Sequence, residues 1–364
     1  MRHTSTDGPS SGSVLVTGAF GLIGSRTVRQ LARDGRHVIA TGRPSSVNRK
    51  VARTLPSGAE VRWADLTRPG EPERLVAETS PTTIIHLAGA TPPRMYRNPD
   101  AARKINVDAT AALVRAATDL PHRLRFVHAS TAAVYGVRNP HHCSEILHVD
   151  TPTTPFDVYG AQNLQAEAHV RSSNLDWVIL RLGAVLKVDP PDGSFDPDAL
   201  YFDSALPTDG RAHLIDLRDA ATAFANAVTA DVTGDTLLVA GDDSLRLQQG
   251  EIGATVSAAC GFATALPVGR PGDPSSADDW FTLDWMDTRE AQRKLSFQHH
   301  RWPDMLAEVR EYIGWRRHPL RLTVPIARAL LKRHAAYRSD PPGAYARPWQ
   351  AMRVKFGEPV AKGN

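Results

Sequence analysis

A strand, a glycine-rich turn and a helix follow one another near the start of the chain, and this unit constrains the fold most. The apolar run 14–16 predicts a buried strand, and the amphipathic stretch 22–31 predicts a helix. Between them, Gly18, Gly21 and Gly24 stand at three-residue spacing. Such spacing with these flanks is typical of a turn that binds the pyrophosphate of a dinucleotide.

Glycine suits this turn because the backbone must reverse sharply and approach a phosphate closely. The start of the helix then offers unbonded N–H groups and the positive end of its dipole. The alternative is a glycine-rich turn in another kind of α/β protein. The residues of this unit predicted to contact the dinucleotide are Gly18, Phe20, Gly21, Leu22, Ile23 and Gly24.

The end of the second predicted strand bears on the choice between NADP and NAD. Sites for NAD usually place an Asp or Glu there to hold the ribose 2′-hydroxyl. This chain has Gly42 followed by Arg43, which removes the carboxylate and adds a guanidinium suited to a phosphate. We therefore expect NADP as the preferred cofactor, with NAD as the other candidate; alternatively, Arg43 is a solvated loop charge.

Composition narrows the partners and the compartment. The 43 Lys and Arg residues nearly balance 39 Asp and Glu residues, so no nucleic-acid partner is expected. The only cysteines, Cys143 and Cys260, predict neither a disulfide framework nor a metal site, and they favour a cytoplasmic location. No apolar run approaches the ~20 residues of a membrane span. Residues 1–12 are polar and predict a flexible leader.

Strand and helix patterns alternate through the first half of the chain and predict an α/β fold, a doubly wound parallel sheet of the Rossmann type. Residues 13–182 and 213–245 are expected to form the dinucleotide-binding domain. A smaller C-terminal substrate-binding portion is expected from residues 183–212 and 246–315, with 187–210 as a long loop. The predicted strands are Val14–Thr17, Val38–Thr41, Val61–Ala64, Thr83–Leu87, Arg125–Ala129, Trp177–Arg181, His213–Leu217 and Thr236–Ala240.

Residues 316–364 form a basic C-terminal extension. Arginines and Lys332 alternate there with apolar residues such as Leu322, Ile326 and Leu330. The pattern is that of an amphipathic helix, at a membrane surface or a subunit interface. The interpretation we favour is a solvated helix docked on its own domain, because Pro325 interrupts the pattern.

Four further segments, taken with the glycine turn, resemble the extended short-chain dehydrogenase/reductases, also called NAD-dependent epimerase/dehydratases. The resemblance covers roughly residues 13–315 and includes a late strand with the start of its following helix at His213–Ala220 and a helix at Trp285–Leu295. The four segments are Ile84–Ala90, Asn106–Thr110, Phe126–Gly136 and Tyr159–Asn163.

In that family a tyrosine exchanges the proton, a Ser or Thr hydroxyl binds the substrate oxygen, and a lysine four residues after the tyrosine lowers its pKa. The resemblance implies Tyr159 as the tyrosine and Thr131 as the hydroxyl, with Ser130 as the neighbouring alternative. The lysine position is occupied by Asn163, which departs from the family pattern. The resemblance further implies cofactor contacts at Asp65, Leu66, Leu87, Ala88, Gly89 and Asn106. For Asp65 the alternative role is a helix N-cap.

The implied function is NAD(P)-dependent oxidoreduction at a carbonyl or alcohol carbon of a small molecule, including epimerisation or dehydration through a transient ketone. The implied assembly is a homodimer. Two alternatives remain open: a dinucleotide-binding protein with little or no redox turnover, in a sensing or structural role, and non-redox chemistry on the same scaffold.

At the cluster His141, His142 and Cys143 we expect a polar substrate-side loop rather than a metal site, because adjacent residues rarely bind one ion well.

Overall fold

One parallel sheet of seven strands forms the centre of the molecule, in the spatial order β3-β2-β1-β4-β5-β6-β9. We describe residues 12–187, 196–338 and 343–361 from a computed structural model. Every neighbouring pair in the sheet is parallel. Its strands are β1 (Val14–Thr17), β2 (Val38–Gly42), β3 (Ala59–Trp63), β4 (Thr83–His86), β5 (Arg125–Thr131), β6 (Asp176–Leu182) and β9 (Thr236–Val239).

Helices cover both faces of this sheet. On one face α1 and α8 pack against each other, and on the other face α3, α5 and α6 do so. The predicted doubly wound Rossmann fold is confirmed. The helices of this part are α1 (Leu22–Arg33), α2 (Ser46–Ala52), α3 (Glu71–Thr79), α4 (Pro99–Arg103), α5 (Ala109–Thr118), α6 (Val158–Arg171) and α8 (Leu217–Asn226), with a π-helical turn at Lys104–Asp108 between α4 and α5.

The strand order reverses between β1 and β4, and this position fixes where a ligand can bind. The chain builds β1, β2 and β3 outward and then crosses back, so that β4 pairs with the other side of β1. In open α/β sheets, the crevice at the carboxyl ends of the two strands at such a reversal is the usual binding site. The glycine turn lies directly after β1, at this crevice.

A second sheet of three strands belongs to the smaller portion of the molecule. It consists of β7 (Ala184–Leu186), β8 (Arg211–Asp216) and β10 (Arg246–Gln248), in the order β10-β8-β7. The late strand predicted at 213–217 is therefore present but lies in this second sheet, not in the dinucleotide-binding sheet. The helices of the smaller portion are α7 (Pro197–Ala205), α9 (Gln249–Ala259) and α11 (Trp302–Ile313), whereas α10 (Arg289–Leu295) packs against β9 of the seven-stranded sheet.

The prediction of a long loop at 187–210 is wrong for residues 197–205. Residues 197–205 form α7, because Asp196 accepts hydrogen bonds from the N–H groups of Asp198 and Ala199 and Pro197 fills the first helical position. Residues 188–195 lie outside the described residues, as does nearly all of the leader predicted at 1–12.

The C-terminal extension forms α12 (Arg317–Leu320), α13 (Val324–Lys332) and α14 (Pro348–Phe356). Helix α14 buries Trp349, Met352 and Phe356. Helix α13 buries no residue fully, but Val324, Ala327 and Leu331 on one side of it are partly buried. Each helix in the described ranges is too short or too polar to cross a lipid bilayer.

Candidate functional site

The turn after β1 can be formed only by glycine at two positions. Gly18 has a φ of +65°, and a Cβ atom there would lie 2.7 Å from backbone atoms of Leu87 and Ala88. A Cβ at Gly24 would lie 2.2 Å from the carbonyl oxygen of Gly18. Gly18 thus allows the turn after β1 to lie close to the segment after β4, and Gly24 allows α1 to pack onto that turn.

The start of α1 is open to a ligand. Gly21 and Leu22 are exposed there, while Phe20 is buried and Ile23 partly buried. The first N–H groups of a helix have no partner within the helix, and the first turn of α1 carries no acidic side chain. Backbone donors without a nearby carboxylate fit a pyrophosphate, so the residues present fit a dinucleotide.

Phe20 connects this turn to the end of β2. Its ring packs against Trp63 with centroids 4.8 Å apart, and a Cβ at Gly42 would lie 2.9 Å from it. The following residue, Arg43, is exposed, and the guanidinium of Arg49 lies 5.3 Å from the centre of the Trp63 ring. The region at the end of β2 therefore combines a glycine, the packed rings of Phe20 and Trp63, and the guanidinium groups of Arg43 and Arg49.

Asp65, two residues after β3, accepts hydrogen bonds from the N–H and the hydroxyl of Thr67, at 3.1 and 2.7 Å. Burial raises the pKa of its carboxyl, but these bonds and the charges of Arg68 and Arg43 outweigh burial, and the net shift is downward. Leu66 beside it is buried. The alternative role as a helix N-cap is wrong, because α3 begins at Glu71 after Gly70; Asp65 instead stabilises a turn.

The segment after β4 is held from two sides. The N–H groups of Leu87 and Ala88 donate to the hydroxyl of Thr17 at 3.2 and 3.3 Å. The amide of Asn106 both accepts from the N–H of Ala90 and donates to its carbonyl oxygen. A Cβ at Gly89 would lie 3.2 Å from that amide. Asn106 is thus engaged in positioning the segment 87–90.

Two buried histidines lie beneath this segment. His86 bridges the hydroxyls of Thr17 and Thr110 at 2.7 and 2.9 Å, and it stacks on His128 of β5. Burial lowers the pKa of His86 to about 3 and that of His128 to about 4. Both rings are therefore neutral at pH 7, and that of His86 ties β1 and β4 to α5.

The two predicted catalytic side chains come together because α6 packs tightly against the turn after β5. A Cβ at Gly160 would lie 2.4 Å from the carbonyl oxygen of Ala133, so glycine permits the contact. Asp157 caps α6 by accepting a hydrogen bond from the N–H of Gly160 at 2.9 Å. Tyr159, in the first turn of α6, then faces Thr131 at the end of β5.

The environment of Tyr159 keeps its phenol protonated. Burial raises the pKa of Tyr159 to about 12, although hydrogen bonding with Thr131 and Asn163 lowers it and the Asp157 charge raises it further. Among the described residues, no cation contributes to this pKa. The amide of Asn163 also donates to the backbone carbonyl of Tyr159 at 2.9 Å. Asn163 therefore supplies a hydrogen bond but no charge.

Ser130 belongs to a separate buried network. Its hydroxyl donates to Glu167 at 2.6 Å, and Glu167 also accepts two hydrogen bonds from Arg181. Arg181 in turn donates to the hydroxyl of Tyr135 at 2.7 Å. Burial raises the pKa of Glu167, but its bonds to Arg181, Ser130 and Arg171 give a net lowering. Because the proton of Ser130 is engaged there, Thr131 is the better candidate for binding a substrate oxygen.

Sequence reasoning missed the pairing of Asp157 with Tyr96. The Tyr96 hydroxyl donates to the Asp157 carboxyl at 2.5 Å, and both residues are buried. Burial raises the pKa of Asp157 to about 6, against the opposing effect of its hydrogen bonds. The helix-start pattern at 157–159 was the available signal for the cap, but nothing in the sequence places Tyr96, 61 residues earlier, beside it.

The C-terminal extension also reaches this region. The N–H of Val158 donates to the carbonyl of Pro359 at 2.8 Å, and the N–H of Ala361 donates to the carbonyl of Phe156 at 3.0 Å. Tyr159 itself packs in a cluster that includes Met352 and Phe356 of α14. The end of the chain is therefore part of the wall around the tyrosine.

The loop with His141, His142 and Cys143 lies in the smaller portion. His141 hydrogen-bonds Asp209 at 3.1 Å and packs on Trp280, with ring centroids 5.4 Å apart. Within ranges 12–187, 196–338 and 343–361, no group of three His, Cys, Asp or Glu side chains is arranged to hold a metal ion.

Comparison with known proteins agrees with this geometry. Residues 14–186, just under half of the chain, match the sequence model of the NAD dependent epimerase/dehydratase family. That match contains the glycine turn, the segment after β4, Thr131, Tyr159 and Asn163.

Two curated relatives have different roles by name. The chain is 28% identical over 170 residues to methionine adenosyltransferase 2 subunit beta from Bos taurus, covering 46% of each protein. It is 28% identical over 184 residues to D-erythronate dehydrogenase from Cupriavidus necator, covering 48% of this chain and 55% of the relative. These matches thus span about half the length of the curated relatives.

Solved structures match over more of the chain. The Bordetella bronchiseptica enzyme WbmG, solved in complex with NAD and UDP, aligns with a TM-score of 0.64 over 82% of this chain and 93% of that chain. The sequences are 22% identical, so this likeness supports the fold, including the smaller portion.

Proposed function

We propose that this protein is an NAD(P)-dependent oxidoreductase of the extended short-chain dehydrogenase/reductase type, acting on a carbonyl or alcohol carbon of a small molecule. One observation carries the proposal: the glycine turn and the pair Thr131–Tyr159 lie at the carboxyl ends of strands in one parallel sheet, around its topological reversal. A cofactor and a proton-transferring phenol are thereby brought to the same edge.

Tyr159 is the proposed proton-transfer residue, and Thr131 the proposed partner of the substrate oxygen. With a pKa of about 12, the phenol is protonated at pH 7 and is ready to donate. A protonated phenol can donate to the oxygen of a carbonyl that is being reduced, whereas oxidation of an alcohol would use the tyrosinate. A nicotinamide dinucleotide would supply the hydride, and its pyrophosphate would be held by the N–H groups at the start of α1.

The finer choice of cofactor is NADP, with NAD as the alternative. Gly42 leaves no carboxylate at the end of β2, and the exposed Arg43 follows it. A guanidinium at this position suits a ribose 2′-phosphate. The substrate is a small molecule, and epimerisation or dehydration through a transient ketone belongs to the same proposed chemistry.

The test measures cofactor binding and turnover separately. We expect NADPH to bind the purified protein, and its absorbance to fall when one member of a carbonyl panel is reduced. Tyr159→Phe should lower that turnover by at least ~100-fold while leaving NADPH affinity unchanged. The matched control is Tyr312→Phe, since Tyr312 is exposed on α11. Full turnover in Tyr159→Phe would reject the proposed role of Tyr159.

A second candidate function is a dinucleotide-binding protein with little or no turnover. The specific observation in its favour is Asn163, since among the residues that the structure describes no cation contributes to the pKa of Tyr159. Dinucleotide binding without turnover across carbonyl and alcohol panels, at neutral and alkaline pH, would favour this candidate over the oxidoreductase.

A further inference from the structure

The stretch from residue 312 to residue 339 has a strongly one-sided charge. None of its 28 residues is an Asp or Glu, whereas the whole chain has 39 acidic residues in 364. The seven cations of this stretch are Arg316, Arg317, Arg321, Arg328, Lys332, Arg333 and Arg338. Such a run without acidic residues favours a negatively charged partner.

Large apolar side chains of the same stretch face solvent. Trp315 is 75% exposed, Leu322 82%, Ile326 66% and Leu330 51%. The last three stand four residues apart along the helical segment that ends in α13, so they form one stripe. The contrast with α14 is clear, because α14 buries its tryptophan, methionine and phenylalanine.

The opposite side of α13 rests on the protein, so the exposed stripe is not the result of a detached helix. Val324, Ala327 and Leu331 are partly buried. Arg328 donates hydrogen bonds to the carbonyl and the hydroxyl of Thr264, at 2.9 and 2.6 Å. The helix is therefore held in place while its apolar stripe points outward.

Cations accompany this stripe without being neutralised. Arg316, Arg321, Lys332 and Arg333 are exposed. Within the part of the chain that the structure describes, none of these four forms an ion pair. We call residues 315–333 the basic apolar surface.

We propose that the basic apolar surface binds an anionic lipid membrane, lying flat in the headgroup region. An interfacial helix places its apolar side chains at the boundary between headgroups and acyl chains, with its cations among the lipid phosphates. Tryptophan is a favoured residue at that boundary, and Trp315 is exposed here.

Two other partners fit the basic apolar surface less well than a lipid membrane: a second copy of this chain and a nucleic acid. A second copy of this chain, docked through the same surface about a two-fold axis, would bring two cationic surfaces together with no carboxylate between them. A nucleic acid would match the cations but would leave Trp315, Leu322 and Ile326 without an apolar partner. A lipid surface satisfies both the charge and the apolar stripe.

The experiment is sedimentation of the full chain with phosphatidylcholine vesicles, with and without phosphatidylglycerol. We expect binding to the phosphatidylglycerol vesicles, at least ~tenfold weaker binding to phosphatidylcholine alone, and release at high salt. Binding to neither vesicle, or equally to both, would overturn the proposal.

Two variants separate the contributions of charge and apolar contact. The triple variant Arg316→Glu/Arg321→Glu/Lys332→Glu should lose binding, and so should Ile326→Asp. The matched control Arg33→Glu/Arg115→Glu/Arg123→Glu changes three exposed arginines elsewhere and should retain most of it. All these sites are exposed, so thermal unfolding should show each variant folded. Equal loss in the control would indicate general charge attraction and would reject the assigned surface.

Self-association is the remaining outcome, measured by sedimentation equilibrium without vesicles. We expect Ile326→Asp to leave the oligomeric state unchanged. A dimer that Ile326→Asp dissociates would assign the surface to a second copy and overturn the proposal.

Discussion

The glycine turn and the start of α6 lie at the same edge of one sheet, but backbone geometry shapes the first and side-chain contacts shape the second. The glycine turn is defined by backbone and by absent side chains, since a Cβ at Gly24 would lie 2.2 Å from a carbonyl oxygen. The start of α6 is defined by side chains, with the partly buried Tyr159 close to the buried Asp157 and Tyr96.

The glycine turn and the start of α6 also differ in the charge that each presents. The glycine turn leaves positive helix N–H groups and the exposed Arg43 available to a phosphate. At the start of α6, burial raises the pKa of both Tyr159 and Asp157, and Asn163 provides no charge. The glycine turn is thus suited to a charged ligand, whereas at the start of α6 the raised pKa values keep Tyr159 neutral at pH 7 and Asp157 neutral only below about pH 6.

The largest expected effect is at Gly24. Alanine gains about 1 kcal/mol of helix propensity there, but overpacking against the Gly18 carbonyl costs about 1–3 kcal/mol or more. Because the clash at 2.2 Å is with backbone, the overpacking cost lies at the top of this range or above it. We therefore expect Gly24→Ala to destabilise folding by about 2 kcal/mol or more and to lower NADPH affinity by ~100-fold or more.

Urea unfolding and fluorescence titration of NADPH measure the two effects. The control is Gly58→Ala, because Gly58 is exposed and a Cβ there meets nothing within 4 Å. If Gly24→Ala behaves like the control in both measurements, the glycine turn is not the constrained region described here.

The glycine turn could be predicted from the sequence because its determinants are local. Strand, turn and helix are consecutive, and the three glycines lie within seven residues. The parallel sheet with helices on both faces followed from the alternation of patterns, and the observed β1 matches its predicted bounds. The location of β8 could not be predicted, since an apolar strand pattern does not specify which sheet it joins.

The start of α6 could be predicted only in part. Tyr159 and Thr131 came from the family resemblance, but the partners of Asp157, Ser130 and Tyr159 are distant in sequence. Ser130 meets Glu167, 37 residues later, and Tyr159 packs with α14 near the end of the chain. Side-chain contacts of this kind depend on tertiary packing, which local propensity does not encode.

Asp157 gives the next largest effect, as a pH dependence of stability. Its pKa is about 6 in the folded protein and 3.8 when unfolded. Between these values the folded state binds more protons, so stability falls as pH rises from about 4 to 6 and then levels off. A shift of about two units corresponds to about 3 kcal/mol.

Urea unfolding of wild type and Asp157→Asn from pH 4 to 7 measures this difference. Asparagine retains the capability to cap a helix, so the variant should fold. We expect the stability of wild type relative to Asp157→Asn to decline by about 2–3 kcal/mol over that range. The exposed Asp150→Asn is the control for loss of one carboxylate. A flat difference would mean that Asp157 ionises in the folded protein as it does in the unfolded chain.

Asn163→Lys tests whether the missing charge limits proton transfer. An ammonium near the phenol lowers its pKa by about 1–3 units, so turnover at pH 7 should rise about tenfold and the pH–rate profile should shift to lower pH. NADPH affinity should change less than turnover. Ala168→Lys adds the same charge on the exposed side of α6 and should leave the profile unchanged. An unchanged profile in Asn163→Lys, with the protein folded, would separate Tyr159 from the rate-limiting proton transfer.

The smallest expected effect is at Arg43, where the glycine turn meets the choice of cofactor. Because the side chain is exposed, water and salt screen its charge, and we expect Arg43→Ala to weaken NADPH binding only about tenfold. NADH lacks the 2′-phosphate, so its affinity should stay the same. Isothermal titration of both cofactors at low and high salt measures this, with Arg53→Ala as an exposed control. Tighter binding of NADH than of NADPH by wild type, or equal loss of both in Arg43→Ala, would show that Arg43 does not recognise the phosphate. The cofactor preference would then have to come from uncharged contacts with the rings of Phe20 and Trp63, whose centroids lie 4.8 Å apart.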